Sequence, residues 1–222
     1  MTDTIERLVR IRADSVLLEG ALAVPAGGRG AVLFAHGSGS SRKSPRNTVV
    51  ARVLRAAGLG TLLTDLLTEG EDADPRTRFD IDLLTRRLVA VTRWLREEPP
   101  TRDLALGYFG ASTGAAAALR AAAELGPAIA AVVSRGGRPD LAAPVLHRVA
   151  APTLLIVGGR DDVVVDLNRQ AFKKLPGPKE LTIVPGATHL FPEPGALDEV
   201  ARLATAWFVR HLIPSAQAVR SA

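Results

Sequence analysis

The sequence contains no cysteine, and this absence excludes several kinds of chemistry. Without thiols there is no disulfide framework, no thiolate nucleophile, no cysteine-ligated zinc and no iron–sulfur cluster. Aromatic residues are also scarce, at 4% of the chain, and the 28 basic residues are scattered without a long run. Proteins that bind nucleic acid combine basic patches with aromatic side chains. The net charge of +5 therefore does not indicate a nucleic-acid partner.

Long apolar runs are missing as well. The longest, such as residues 32–35 and 154–159, are far shorter than the roughly 20 residues needed to span a bilayer. The N-terminal segment carries charges throughout and lacks the apolar centre of a signal peptide. These features predict a soluble, cytoplasmic protein with no membrane partner. The 222 residues, 47% of them hydrophobic, are enough for one domain with a sizeable core.

Strand-like and helix-like segments alternate along the chain. Short apolar runs predict an antiparallel pair within 15–24, broken at Glu19 and Gly20, and strands at 31–35, 60–66, 104–109, 129–134, 153–157 and 180–184. Helices are predicted at 47–57, 80–98, 113–125, 165–175 and 196–212, with a charged loop at 69–78. This alternation predicts an α/β fold with a mostly parallel sheet and helices on both faces. We expect a single domain over 1–222, with a core at about 15–213 and a weakly ordered tail at 214–222.

The strongest local motif is a G-x-S-x-G sequence at 110–114, centred on Ser112. It directly follows a predicted strand and directly precedes an alanine-rich predicted helix. Small residues allow the sharp strand-to-helix turn that exposes a serine hydroxyl at the edge of a sheet, next to a helix N-terminus. The plainer interpretation is an ordinary strand-to-helix turn. The context favours Ser112 as a nucleophile.

A nucleophilic serine needs a base, and the base needs an acid that orients it. Of the four histidines, His189 lies in a loop between the last predicted strand and the last helix, where it can reach the same sheet edge. The acid should follow another strand, and 153–157 is followed by the adjacent carboxylates Asp161 and Asp162. Asp161, nearer the strand, is predicted to orient His189, and Asp162 to cap the next helix. His36, His147 and His211 are assigned structural or surface roles.

Acyl transfer also requires N–H donors for the oxyanion. The backbone N–H of Thr113, directly after the serine, is one predicted donor. The second is expected from the loop after strand 31–35, where Ser38 is the first choice and Gly39 the second. The same loop, 37–44, nearly matches a phosphate-binding G-x-x-x-x-G-K-[ST] motif, with Arg42 in place of the second glycine. A non-catalytic or nucleotide-binding α/β protein is therefore the alternative from another class.

Two further segments border the predicted site. Residues 66–79 follow a strand, and their acidic stretch could contact a polar substrate, although a solvated loop is the plainer interpretation. Arg135 and Arg138 follow strand 129–134 and could bind an anionic group at the same edge. Arginines in such loops are more often simply exposed.

The sequence resembles the α/β-hydrolase fold in four motifs: the His-Gly loop, the G-x-S-x-G motif, the G-x-x-D sequence and the late histidine. The order Ser112, Asp161, His189 also matches that family. The short chain and the short 134–153 connection, which leaves no room for a cap domain, resemble its dienelactone-hydrolase-like branch. Founding members of that branch use a cysteine, where this chain has a serine. The resemblance implies a carboxylesterase that cleaves small to medium esters through an acyl-enzyme, without metal or cofactor. Amide or lactone hydrolysis and acyl transfer stay open, and a homodimer is compatible with the sequence.

Overall fold

The computed structural model describes residues 4–213, which contain one eight-stranded sheet. The strands lie in the order β1-β2-β4-β3-β5-β6-β7-β8. Their bounds are β1 Ile5–Ala13, β2 Val16–Val24, β3 Ala31–Ala35, β4 Gly60–Thr64, β5 Leu106–Ala111, β6 Ala131–Arg135, β7 Thr153–Gly158 and β8 Lys179–Val184. Only the β1–β2 and β2–β4 pairs are antiparallel. The carboxyl ends of the parallel strands therefore meet at one edge. The tail predicted at 214–222 lies outside the described residues.

Helices cover both faces of the sheet, which confirms the predicted fold class. They are α1 Pro45–Ala56, α2 Glu69–Asp72, α3 Pro75–Arg78, α4 Ile81–Glu97, α5 Thr113–Leu125, α6 Asp162–Lys174 and α7 Ala196–Leu212. Alternate strand residues point to opposite faces. Phe34 and Phe109 pack in a cluster with α1 and α7, whereas Leu33 and Tyr108 pack with α4 and α5. The buried strands β3 and β5 thus lie at the centre of a three-layer arrangement.

The N-terminal part of the sheet differs from the prediction. Residues 5–13 form an edge strand whose Val9 and Ile11 are buried, so the expected core boundary at residue 15 is wrong. The turn of the antiparallel pair lies at Asp14, which has a φ of 52°, and not at Glu19 and Gly20, which pair within the ladder. The outward face of β1 carries charged side chains, as edge strands commonly do. The alternation of apolar and charged residues is clear only from Val9 onward, because Leu8 is 80% exposed and Arg7 is exposed as well.

Two connections shape the edge where the site lies. Between β6 and β7 the chain makes only two short 3₁₀ turns, Pro139–Ala142 and Leu146–Arg148, so the predicted lack of a cap domain is confirmed. The segment predicted as a charged loop contains the short helices α2 and α3 instead. A capping box formed by Thr68 and Glu71 begins α2, because it satisfies backbone N–H groups at the helix start.

Candidate active site

Ser112 lies at the sharp turn between β5 and α5. Its φ of 50° and ψ of −120° are unusual for a residue other than glycine. A Cβ on Gly110 would lie 2.4 Å from the Cα of Ala115, and one on Gly114 would lie 2.3 Å from the carbonyl oxygens of Ala35 and His36. Only glycine fits at these two positions. The G-x-S-x-G motif therefore packs strand, helix and neighbouring loop closely enough to hold the serine at the N-terminus of α5.

Asp161 and His189 are paired directly. The Nδ1–H of His189 donates to Oδ2 of Asp161 at 2.6 Å. Because Nδ1 carries the proton in this bond, the neutral ring leaves Nε2 free to accept one. Asp161 follows β7 at the N-cap position of α6, but its side chain makes no capping bond. Asp162 is the exposed first residue of α6, so the predicted capping role of Asp162 is wrong.

The end of β6 brings Ser112 and His189 to the same place. The carbonyl of Arg135 accepts a hydrogen bond from the N–H of Ser112 at 3.2 Å. The next residue, Gly136, lies against the histidine, since a Cβ there would be 3.5 Å from both Nδ1 and Cε1 of the ring. Within residues 4–213, Ser112 Oγ and His189 form no hydrogen bond with each other. The acid–base pair is formed, while the serine lies beside it without that contact.

The loop after β3 passes close to Ser112. A Cβ on Gly37 would lie 3.0 Å from the Cβ of Ser112, so a side chain at this position would crowd the serine. The N–H of Ser38 donates to Oγ1 of Thr113 at 2.9 Å. The predicted donor Ser38 is thus engaged by a side chain. In the described part of the chain, the N–H groups of Thr113 and Gly39 have no acceptor.

His36 holds this loop in place through two hydrogen bonds of its ring. Its Nδ1–H donates to the carbonyl of Gly37 at 3.0 Å, and its Nε2 accepts from the N–H of Leu66 at 2.9 Å. The ring is buried, and this burial lowers the pKa of His36 against the opposing effects of the Gly37 bond and the charges of Asp65 and Asp72. A neutral ring is needed for both bonds, so the structural role assigned to His36 agrees with its surroundings.

Further along the loop, Arg42 is held by carboxylates. Its N–H and its guanidinium both bond to Asp65, at 2.7 and 2.5 Å, and the guanidinium also pairs with Glu19. The N–H of Ser40 bonds to Gly37, and that of Ser44 bonds to Ser41. Most donors of the 37–44 loop are therefore used inside the chain. They do not converge in the way that phosphate-binding loops require.

A cavity of about 510 Å³ opens beside this loop, between His36, Arg42, Asp65 and the start of α2. None of Ser112, Asp161 and His189 lines it. Within residues 4–213, no cluster of three or more histidine or acidic side chains could hold a metal ion.

Comparison with known proteins agrees with this geometry. The sequence profile of the dienelactone hydrolase family matches residues 31–210, which is most of the chain. The chain belongs to the dienelactone hydrolase family. A dienelactone hydrolase from Anabaena variabilis, known from a crystal structure, is 56% identical, with a TM-score of 0.91 over 94% of this chain and 99% of that one.

Two other similar proteins differ in sequence identity and in how much of their own length is matched. A serine hydrolase without a lid from Xanthomonas campestris has a TM-score of 0.75 over 95% of this chain and 96% of that one, and its 24% identity shows the fold alone. A Mycobacterium tuberculosis protein named "Putative phosphoribosyl transferase" is 58% identical over 204 residues. That match covers 92% of this chain and 46% of the relative. This dienelactone hydrolase family member thus spans about half the length of that curated relative.

One residue that supports the site in this family member was not found by sequence reasoning. Glu193 accepts two hydrogen bonds through Oε1, from the N–H of Thr188 at 3.0 Å and from its hydroxyl at 2.7 Å. The hydroxyl bond is the main reason that the pKa of Glu193 is lowered. Because Thr188 precedes His189, these bonds hold the histidine loop. The available signal was an acidic residue four positions after the histidine.

The remaining histidines lie away from the reaction centre. His147 is exposed in a 3₁₀ turn, and His211 lies near the end of α7 with its ring centroid 4.5 Å from that of Trp207. The structural and surface roles assigned to them agree with these positions. No helix within residues 4–213 combines the length and the apolar composition that crossing a membrane requires.

Proposed function

We propose that the protein is a serine carboxylesterase that cleaves small to medium esters. The observation that carries this proposal is the 2.6 Å bond between His189 and Asp161, located beside a serine in a strained strand-to-helix turn. A base held by a buried or half-buried carboxylate, next to an exposed hydroxyl, is the arrangement used for acyl transfer through a covalent intermediate. Membership of a hydrolase family supports the same reaction class.

In this mechanism, Ser112 Oγ attacks the ester carbonyl carbon while its proton passes to Nε2 of His189. Asp161 stabilises the resulting imidazolium. The Thr113 N–H, at the N-terminus of α5, donates to the negatively charged oxygen. The tetrahedral intermediate collapses, and the alcohol leaves with the proton from His189. A water then gives a proton to His189 and attacks the acyl carbon. His189 returns this proton to Ser112 Oγ as the second tetrahedral intermediate collapses, which releases the carboxylic acid and restores Ser112.

The second oxyanion donor depends on the 37–44 loop. The Ser38 N–H can serve only by sharing or exchanging its bond to Thr113 Oγ1, and the Gly39 N–H needs no such exchange. Both stay predictions. Since no cap covers the edge, we expect an open site that accepts esters of different shapes. Lactone and amide hydrolysis and acyl transfer use the same residues, and the family name includes a lactone substrate.

No observation favours nucleotide binding, or the activity in the name of the Mycobacterium tuberculosis relative, over ester hydrolysis. The N–H groups of the 37–44 loop are largely bonded within the chain, which gives no support to nucleotide binding there. The name of the Mycobacterium tuberculosis protein belongs to a chain about twice as long, of which the match covers 46%. That name therefore does not decide what this chain does.

The proposal is tested by changing Ser112 to alanine. We expect the loss of labelling by a fluorophosphonate probe and a fall of about 10⁴-fold or more in the hydrolysis of p-nitrophenyl acetate, because the nucleophile is removed. Ser15→Ala is the matched control, since Ser15 is exposed in the β1–β2 turn. It should keep both labelling and activity. Hydrolysis that persists in pure Ser112→Ala protein contradicts the proposal.

A further inference from the structure

Arg135, the last residue of β6, is a buried cation without a partner. Only 6% of its surface is accessible, and its Nε and Nη1 atoms are buried without a hydrogen bond. No ion pair with a carboxylate involves it within residues 4–213. Burial lowers the pKa of Arg135 to about 10, and the charge of Arg46 adds to this effect. A buried guanidinium is normally paired, because an uncompensated charge in the interior is costly.

The charged group that acts on Arg135 is a second arginine. Arg46 is the second residue of α1, which packs on the same face of the sheet as Ala131 and Val133 of β6. Since strand side chains alternate, Arg135 faces α1 as well. Arg46 is half-buried, and its Nε is also buried without a hydrogen bond. Two positive groups thus lie together with a helix N-terminus, which carries a partial positive charge. Electrostatic repulsion among the three raises the free energy of keeping both guanidiniums charged.

This arginine pair adjoins the reaction centre. The carbonyl of Arg135 bonds to the N–H of Ser112, and Gly136 lies against the ring of His189. The strand end that carries the Arg135 guanidinium therefore contacts both Ser112 and the histidine loop through its backbone. No step of the ester mechanism uses either arginine. Their most direct use is to bind a negatively charged part of the molecule that reacts at Ser112.

We propose that Arg135 and Arg46 form an anion subsite for the substrate, and that the anion is a phosphate monoester. The proposal rests on the proposed esterase function and specifies its substrate class as an ester that carries a phosphate. A phosphate monoester has a charge of about −1.5 to −2 at neutral pH, which balances two guanidiniums, whereas a carboxylate balances one. Arginine also presents several N–H donors in a plane that matches phosphate oxygens.

The first test measures binding of inorganic phosphate by calorimetry, with sodium chloride and sodium acetate at the same ionic strength for comparison. We expect phosphate to bind the wild-type protein and acetate to bind more weakly. Arg46→Gln and Arg135→Met should weaken phosphate binding about tenfold or more, because each loses charged hydrogen bonds. Arg52→Gln, which removes an exposed charge from the same helix, should leave binding unchanged. Phosphate binding that is absent, or equal in all four proteins, overturns the proposal.

A thermal unfolding measurement covers the case in which Arg135→Met fails to fold. If the pair binds phosphate, Arg46→Gln alone must reduce the rise in Tm that phosphate causes in the wild type. In phosphate-free buffer, Arg135→Met should unfold no earlier than the wild type, since an unpaired buried charge has been removed. A lower Tm for Arg135→Met there, with an undiminished phosphate effect in Arg46→Gln, shows that the arginines are structural.

The second test separates this inference from the esterase proposal. Two p-nitrophenyl esters of equal acyl length are compared, one ending in a methyl group and one in a phosphonate. We expect the wild type to prefer the phosphonate ester in kcat/KM by about tenfold, and Arg46→Gln to lose that preference. Equal use of both esters, with normal fluorophosphonate labelling of Ser112, overturns only the anion subsite. A third ester of the same acyl length, ending in a carboxylate, is measured alongside them, and a preference for it over the phosphonate ester overturns the choice of phosphate. Absence of labelling contradicts the esterase function itself.

Discussion

At the scale of single residues, one step along the chain separates two different roles. Asp161 and Asp162 are chemically the same, yet Asp161 bonds to His189 while Asp162 is exposed in the first turn of α6. The sequence predicted this choice from the closer position of Asp161 to the end of β7. The capping assignment failed because the N-cap position falls on Asp161, whose side chain turns to the histidine instead.

These positions predict opposite outcomes for Asp161→Asn and Asp162→Asn. The first should lower kcat for p-nitrophenyl acetate by roughly 10³ to 10⁴-fold, because an amide can hold the ring in the wrong tautomer and does not stabilise the imidazolium. The second is the matched control and should keep its activity, with a loss of about 0.3–1 kcal/mol in stability from the first turn of the helix. Steady-state kinetics and urea unfolding of both variants check this. If Asp162→Asn is the inactive one, the assignment is reversed.

The 37–44 loop was predicted only in part from its residues. The Gly37 position could be predicted, since a motif with small residues after β3 indicates a close approach. The bond from the Ser38 N–H to Thr113 Oγ1 could not, because it depends on the rotamer of a side chain 75 positions away. The same holds for Arg135, whose place in a strand was partly predicted but whose missing partner depends on everything that packs around it.

At the scale of elements, helices with clear start and end signals were predicted well. The bounds expected for α5 and α7 agree with the structure. The alanine-rich segment of α5 is followed by Gly126, and the amphipathic segment of α7 begins after Gly195. The charged strand β1 was missed, since Arg7 and Leu8 interrupt the period of two in its first half. The short α2 and α3 were missed because four residues are too few for a helical period.

The packing of α5 against the 36–44 loop predicts the effect of Gly114→Ala. A Cβ at this position would meet two carbonyl oxygens at 2.3 Å, so the helix must move away from β3 and carry Ser112 with it. We expect a loss of about 1–3 kcal/mol in the free energy of unfolding and a strong fall in esterase activity. Urea unfolding and p-nitrophenyl acetate hydrolysis measure the two effects.

The matched control is Gly70→Ala in the short helix α2. A Cβ at Gly70 has no atom within 4 Å, so this variant should be as stable and as active as the wild type. If Gly114→Ala behaves like Gly70→Ala, the close contact between α5 and the loop is not needed to hold the serine.

At the scale of the whole molecule, the candidate site lies at the edge of the sheet where the parallel strands end. Ser112 lies in the β5–α5 turn, Asp161 follows β7 and His189 lies in the loop before α7, so the candidate site depends on several elements far apart in the sequence. His36 connects two further segments at this edge, since its ring joins the loop after β3 to the N–H of Leu66 after β4. Protonation of that buried ring therefore affects the fold as well as the site.

The stability of the protein should consequently fall in mild acid. Burial lowers the pKa of His36 below 6.5, its value in an unfolded chain. As the pH falls from 6.5 toward the lowered pKa of the folded state, the unfolded chain takes up a proton that the folded protein does not bind, and stability is lost. One such group gives a slope of at most about 1.4 kcal/mol per pH unit.

His36→Gln tests whether this slope comes from His36. The glutamine oxygen can still accept a bond from the N–H of Leu66, but it does not titrate. Urea unfolding of both proteins at a series of pH values from 7.5 to 5 should give a wild-type curve that declines more steeply than that of the variant. The difference between the curves, and not the absolute stability, isolates the ring from the other histidines. Parallel curves would place the acid sensitivity elsewhere and would mean that the pKa of His36 is the same in the folded and the unfolded protein.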